Sequence, residues 1–494
     1  MLSRSSARDL FSSKGIKMLK LNKFDSGCWV IVLTTALFVL PIMLSGVLYQ
    51  DDILRAANGE AYWGVLGRPL SDVVVMSLGF GSGFVVDSFP LSLILAGALL
   101  GASSVMLYCR FAVSRGVASG LVFSLFSLSP FFLQNLSYHF DSFPMMLGVF
   151  LAALPYSKLA SSFKLAVRLL FGAACLVLAL SLYQATINVF LSLCAIEIAY
   201  VLYSKRSGTD VLRMVAERAV SAIIGMIIYM KGVAPFFLSK NVHSDLVVKA
   251  DDPVKSLSYN FERFWNIASS LLNDSFYMAW FLALTVAIFG LIMLAYRLAR
   301  SDYSLLSKTI GFAVMVLGIA VTAFSIVGPF IFVDKTVVAP RVMMGLSGFM
   351  LLIGYLASML SSQRITTIAC IIPVMFSLSY SSAYGNASKL QRSLEDKVFY
   401  DIASSLPSKL DGKKVYISGQ ISTAVATDME FKRFPSLKLM VMPLYNWSGM
   451  IMLKHYGINA EMGKSSNTEI SGDTLHSSRY FNITSGKDIY VTLK

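Results

Sequence analysis

Apolar residues run along the chain in stretches of about 20, broken by short polar connections. Such runs fall near 28–48, 89–109, 116–134, 143–156, 167–182, 185–203, 216–234, 276–295, 309–333, 342–360 and 366–384. A helix needs about 20 apolar residues to cross the hydrocarbon of a bilayer, whereas a transmembrane barrel would show weak alternation over about ten. The pattern therefore predicts an all-α polytopic membrane protein with about 11 transmembrane helices. The run at 143–156 is short, and VVVMSLGFGSGFVV at 73–86 fits an interfacial or re-entrant helix better than a further span.

Beyond residue 384 the pattern changes to Gly, Ser, Asn and mixed charge. KKVYISGQ and DIYVTLK alternate as strands do, and KLQRSLEDKVFYDIASSL and NWSGMIMLKHYG fit helices. The expected organisation is an N-terminal tail at 1–27, a membrane domain at 28–384 and a small C-terminal α+β domain at 385–494.

Composition agrees with this division. Of 494 residues 56% are hydrophobic and 14% charged, more apolar material than one soluble core could bury. The net charge of +14 would suggest nucleic acid in a soluble chain. Here no nucleic acid is expected, because the basic residues concentrate in the connections RFAVSR, SKLASSFK, YSKRSGTDVLR, YRLARSDYSLLSK and SSQR, where they act as orientation signals. All five connections fall inside if the N-terminus is cytoplasmic and 73–86 does not cross, which places 385–494 on the outer, periplasmic face. The basic stretch MLSRSSARDLFSSKGIKMLKLNK precedes an apolar run too long for a signal peptide, so an uncleaved first span is expected.

Cys28, Cys109, Cys175, Cys194 and Cys370 lie in or at the ends of apolar runs and read as inert buried thiols. Without CxxC, HExxH or a phosphate-binding glycine loop, since GFGSG at 79–83 lacks both spacing and lysine, no structural metal and no cofactor is expected, although paired aspartates could hold a divalent cation together with phosphate.

With this topology the unusual polar residues converge on one side. The first outer loop, 49–88, carries Asp51, Asp52, Arg55, Tyr62, Trp63, Arg68 and Asp87; the second carries His139 and Asp141, and the third Tyr183 and Gln184. Lys231, Lys240, His243, Asp245, Asp251 and Asp252 belong to the fourth, and Asp334, Lys335 and Arg341 to the fifth. Singly, each has a plain alternative: a hydrated helix end for the aspartates, interfacial anchoring for Tyr62 and Trp63, a packed imidazole for His139, snorkelling for Lys231 and Arg341. Together they suit group transfer from a membrane-anchored phosphate donor. A carboxylate takes a proton from an attacking hydroxyl, arginine or lysine neutralises the departing phosphate, and aromatic faces stack on sugar rings.

The motifs YQDDILR, WGVLGRPL, NLSYHFDSFPM, SLYQATIN and APRVMMGLSGF, in this order, resemble those of the bacteriophage-borne glucosyltransferases that modify O-antigen in serotype conversion. The resemblance runs from the first span to the tenth and in the tail touches only YNWSGMIMLKHYG. It implies a GT-C-like fold in the bacterial inner membrane. It also implies transfer of glucose from undecaprenyl-phosphate-glucose to the lipid-linked O-antigen repeat of lipopolysaccharide on the periplasmic face, with a donor synthase and a donor flippase as functional partners. Carried over residue by residue, the acidic catalytic motif falls on Asp51 and Asp52, the GRP element on Arg68, the second-loop aspartate on Asp141, the Tyr-Gln pair on Tyr183 and Gln184, and the Pro-Arg element on Arg341. The chemistry of the residues themselves assigns donor-phosphate contacts to Arg68, Arg341 and Lys231, and adds Arg55, Tyr62, Trp63 and His139 to Asp141, Tyr183 and Gln184 as substrate contacts. Two alternatives stand beside this: a flippase of lipid-linked sugars, and an O-antigen polymerase or ligase. A flippase should carry charge through the middle of its spans, and polymerases and ligases usually place their functional residues in a late outer loop.

Overall fold

The computed structural model describes residues 24–81, 83–239, 246–360, 362–407, 410, 412–463 and 472–494. Helix α1 (Ser26–Ser45) leads to the short helices α2 (Asp51–Asn58) and α3 (Pro69–Leu78), and the chain returns along α4 (Leu91–Phe111). Next come α5 (Val117–Ser127), α6 (Phe132–Leu136) and α7 (Ser142–Ala153), then α8 (Leu165–Leu182), α9 (Thr186–Tyr203) and α10 (Gly208–Ile228). α11 (Pro253–Leu271) passes through a π-helical turn into α12 (Tyr277–Ala299). α13 (Leu305–Phe324), α14 (Leu346–Ser358) and α15 (Gln363–Ser405) complete the bundle.

Nine helical runs among the described residues are long and apolar enough to cross a membrane. Two of the expected spans are not: α5 has 11 residues and α14 has 13. Both lie almost wholly inside the bundle, and every residue of the stretch 128–141 that follows α5, helical only over α6, is buried. Backbone outside regular helices is tolerated within a membrane bundle only where protein rather than lipid surrounds it, because each unpaired N–H or C=O must find a partner. The apolar runs at 116–134 and 342–360 are thus partly helix and partly enclosed loop. Residues 73–78 of the segment at 73–86 form the end of the ten-residue α3, which is too short to span a bilayer.

Side-chain contacts fix which connections share an end. Asp25, the N-cap of α1, accepts a hydrogen bond from Tyr108 near the end of α4, and Arg110 donates to the carbonyl of Ser157 beyond α7. Gly208 N donates to Ser307 Oγ, and Tyr303 donates to the carbonyl of Lys205. The basic connections therefore gather at one end of the bundle, and α2, α3, the 128–141 loop, the 325–345 loop and the tail gather at the other.

α15 is one continuous helix of 43 residues, about 65 Å long. It runs through the expected boundary at 384/385 without a break and carries the last span into the tail. Where it leaves the bundle it presses on α1: Ser381 Oγ donates to the carbonyl of Phe38 at 2.6 Å, and a Cβ on Gly385 would come within 2.6 Å of the Pro41 carbonyl. Only glycine permits that approach.

The tail holds β1 (Val415–Ser418), α16 (Asn446–His455), β2 (Ala460–Met462), β3 (Asp473–Ser477), β4 (Phe481–Ser485) and β5 (Ile489–Leu493), in the sheet order β2-β1-β5-β4-β3. The two strands expected from alternation are β1 and β5, and they pair in parallel. β3 escaped that expectation because all its residues are exposed and no apolar alternation marks it. The sheet packs Ile417, Ile483 and Val491 against Phe399 and Ile402 of α15, and Ile53 of α2 joins this core.

Candidate active site

Left-handed backbone brackets α2. Gly46 (φ +59°) ends α1, Gln50 (φ +49°) precedes the helix, and Gly59 (φ +69°) ends it. The strained non-glycine is Gln50, directly before the acidic pair, and such strain concentrates at functional sites.

On a helix, adjacent side chains point about 100° apart, and here that separation divides the pair completely. Asp52 is fully buried, and its carboxylate accepts hydrogen bonds from the backbone of Tyr49 (3.2 Å), His139 (2.8 Å) and Phe140 (3.4 Å). It pins the loop that carries His139 and Phe140 to α2. Burial, reinforced by the charge of Asp141, pushes its carboxyl well above the usual carboxylate range, against the pull of those N–H groups and Arg55. Asp51 has a half-exposed side chain whose nearest ion-pair contact is Arg55 at 4.0 Å.

Arg55 instead commits to Asp141, 3.1 Å away, and its guanidinium lies 4.3 Å over the ring of Trp63. Trp63 is fully buried and donates its indole N–H to Asp141 at 2.6 Å. Asp72, from α3, receives the backbone N–H groups of Trp63 (3.0 Å) and Gly64 (2.6 Å) and holds this turn in place. Arg68 donates to Gln184 Oε1 at 2.8 Å and stacks 4.5 Å over Tyr183, while Gln184 donates to the Leu66 carbonyl and to Tyr229.

Arg341 is held by its backbone rather than its side chain. Its N–H donates to Gln134 Oε1 (2.8 Å), and its carbonyl accepts from Asn135 (3.1 Å) and Tyr183 (3.2 Å). Its guanidinium sits 5.3 Å from the Tyr138 ring centroid and has no hydrogen-bond or ion-pair partner among the described residues. Burial lowers the pKa of this guanidinium, which stays charged; Asp51 is the strongest influence raising it, and the charges of Arg68 and Arg55 lower it. One open carboxylate, one unpaired guanidinium and two further guanidiniums thus share one electrostatic neighbourhood.

Other expected residues stand apart. His139 is buried, stacks 4.0 Å over Phe89 and lies 2.9 Å from Asp87 Oδ2, so it is a packed imidazole that ties down 83–89. Burial raises the Asp87 carboxyl, but the hydrogen bonds from His139 and Phe89 N outweigh it and the net direction is down. Tyr62 is 63% exposed in a left-handed conformation and joins none of the contacts of its neighbour Trp63. Lys231 is exposed in the π-helical turn after α10, while Tyr229, two residues earlier, reaches the Gly67 carbonyl at 2.8 Å. Asp252 caps α11 and Asp334 accepts from Ser256, both in structural roles. Lys240, His243 and Asp245 lie outside the described residues.

Sequence reasoning missed Tyr49, Asp72, Gln134 and Asn135. Tyr49 donates to the Met440 carbonyl of the tail and accepts from Gln134. The adjacent amides at the end of an apolar run were the available signal, since polar groups inside a span carry function more often than not.

Residues 40–352 match the family described as glucosyl transferase GtrII. The chain belongs to this family. It is also 24% identical over 435 residues, covering 85% of this chain and 88% of the relative, to a Salmonella phage P22 protein described as "Uncharacterized 55.3 kDa protein in gtrB 5'region". No solved structure matches the chain. The GtrII match takes in every site position from Asp51 to Arg341 and stops before α15 and the tail.

The tail of this GtrII-family chain nevertheless builds part of the site. Ile53 is 1% exposed in the tail core, Lys454 donates to Asn58 at 2.7 Å, and the charge of Asp51 reaches Tyr445, which stacks on Trp447. Ile53→Ala should therefore loosen the seat of α2 on the tail by about 2–5 kcal/mol. Limited proteolysis of the purified protein should cleave the tail faster in this variant; an unchanged rate would show that the tail does not hold α2.

Proposed function

We propose that this GtrII-family protein transfers glucose from undecaprenyl-phosphate-glucose to the lipid-linked O-antigen repeat at the periplasmic face of the bacterial inner membrane, with Asp51 as general base. The observation that carries the reading is the half-exposed Asp51 carboxylate within electrostatic reach of an Arg341 guanidinium that has no hydrogen-bond or ion-pair partner among the described residues, at the bundle end opposite the basic connections. The bundle would then cross the membrane eleven times with its N-terminus cytoplasmic, α5 and α14 counting as short, protein-enclosed crossings.

In the proposed reaction a hydroxyl oxygen of the acceptor bonds to the anomeric carbon of glucose. The bond from that carbon to the phosphate oxygen breaks, and its electron pair leaves with the carrier phosphate. Arg341 and Arg68 neutralise the charge that grows there, and Asp51 takes the hydroxyl proton. Asp52 never meets substrate; it holds the loop that carries Asp141, which in turn orients Arg55 and Trp63. Tyr445 and Trp447 offer aromatic faces to the acceptor saccharide from the tail side.

A short-chain polyprenyl-phosphate carrying radiolabelled glucose tests this directly. Purified protein in proteoliposomes should label lipid-linked O-antigen from this donor, and spheroplasts should do so with donor supplied only outside. Translocation of the donor without labelled saccharide would favour a flippase, and labelling only after permeabilisation would move the site to the cytoplasmic face.

A further inference from the structure

At the bundle end opposite Asp51, the first turns of α8 and α10 and the last turns of α4 and α9 enclose a cleft of about 520 Å³. Five arginines line it against three carboxylates, an excess of two positive charges. The pairing shows how that excess arises. Arg218 grips the buried Glu197 through two hydrogen bonds, at 2.7 and 2.9 Å, and Arg110 binds the same carboxylate. Glu217 is likewise shared, by Arg168 at 2.6 Å and Arg213 at 3.6 Å. Twice, therefore, two guanidiniums divide one carboxylate. The third acid, Asp210, is taken up in the capping box of α10 with Ser207, and Arg206 at the rim is exposed.

An independent observation bears on what the cleft could take. The Nε of Arg168 is buried and has no hydrogen-bond partner. A buried unsatisfied donor carries a desolvation penalty, so a site with surplus guanidinium charge and an orphaned N–H is built to receive acceptor oxygens. The surroundings narrow the source. Leu165, Val167 and Leu170, on the same turns of α8 as Arg168, are exposed and apolar, as are Leu159 before them and Leu212 on α10. A ligand in this cleft would have its phosphate among arginines and hydrocarbon alongside.

We propose that the cleft binds the phosphate of an anionic phospholipid from the leaflet at the basic-connection end. Basic pockets between transmembrane helices at an anionic leaflet have this chemistry, and planar guanidiniums match phosphate oxygens in pairs. The bound lipid would clamp α8 to α10 at their inner ends. The inference is independent of the transfer chemistry and of Asp51.

Thermal unfolding and binding of the full chain in neutral detergent test it, with dioleoylphosphatidylglycerol, dioleoylphosphatidylcholine and inorganic phosphate as separate probes. Phosphatidylglycerol should bind and raise the unfolding temperature, and the other two should not at equal concentration. Arg168→Gln combined with Arg213→Gln leaves the Arg110–Glu197–Arg218 group intact and should weaken phosphatidylglycerol binding by about tenfold or more. A photoactivatable phosphatidylglycerol on the unaltered protein gives a readout that needs no variant, and its adducts should map to 158–170 or 204–218. Equal affinity in the double variant, or adducts confined to other helices, would overturn the proposal. Inorganic phosphate binding as tightly as the lipid would make this a soluble-phosphate site instead.

Discussion

Asp51→Asn should lower glucose turnover by about 100- to 10,000-fold at saturating donor while leaving the fold and donor binding intact. The amide keeps the shape of the side chain and removes its basicity. The structure makes this a one-residue expectation, because only Asp51 of the acidic pair has an open face, 51% exposed, and supports the charge of Arg341. Asp52→Asn should behave differently. One of its oxygens takes the N–H groups of both Tyr49 and His139, which an amide oxygen can still accept, and the remaining contact to Phe140 N is long at 3.4 Å. Its turnover should therefore fall far less, and its effect should be on stability. The sign with pH follows from the raised carboxyl of Asp52. The folded state holds that proton more tightly than the unfolded chain, whose Asp ionises near about 3.9. The protonated group's contribution is thus complete below that value and is lost as pH rises through the higher folded pKa. Asp52→Asn should flatten the stability–pH curve over that interval. If Asp51→Asn keeps near-normal turnover, Asp51 is a hydrated helix end and the proposed base is wrong.

Arg341→Lys should weaken donor binding by about tenfold to a hundredfold, as expected when a charge-assisted bidentate contact becomes a point charge. The backbone of Arg341 is anchored at both N–H and carbonyl by Gln134, Asn135 and Tyr183, so the substitution leaves the loop in place. Its guanidinium has no hydrogen-bond or ion-pair partner to lose among the described residues, only the Tyr138 ring at 5.3 Å, which helps separate a ligand effect from a structural one. Arg68→Lys would be a poorer probe, since it also breaks the link to Gln184. Titrating a fluorescent polyprenyl-phosphate-sugar against both forms measures the difference. Equal affinities would leave Arg341 as a snorkelling side chain.

Local patterns in the chain were enough for the helical membrane class, the gathering of basic connections at one end and polar loops at the other, strands β1 and β5 of the tail sheet, and the GtrII-like motif order. These are local properties: a 20-residue apolar run, a period-two alternation or a lysine beside a span can be read without knowing what it touches. That α5 and α14 stop short and adjoin enclosed loops could be seen only in the folded chain, because an apolar run looks the same whether helix or buried loop continues it. The same holds for the site. Asp51 and Asp52 are chemically identical neighbours, and what divides them is the arrival of the His139 and Phe140 N–H groups from 87 and 88 residues away. Trp63 is chosen over Tyr62 by an indole bond to Asp141, 78 residues on, and Tyr229 over Lys231 by its reach to Gly67, 162 residues back. Which of two adjacent side chains faces the site depends on partners that only folding brings near, so composition and spacing reach the loop and long-range packing selects the residue.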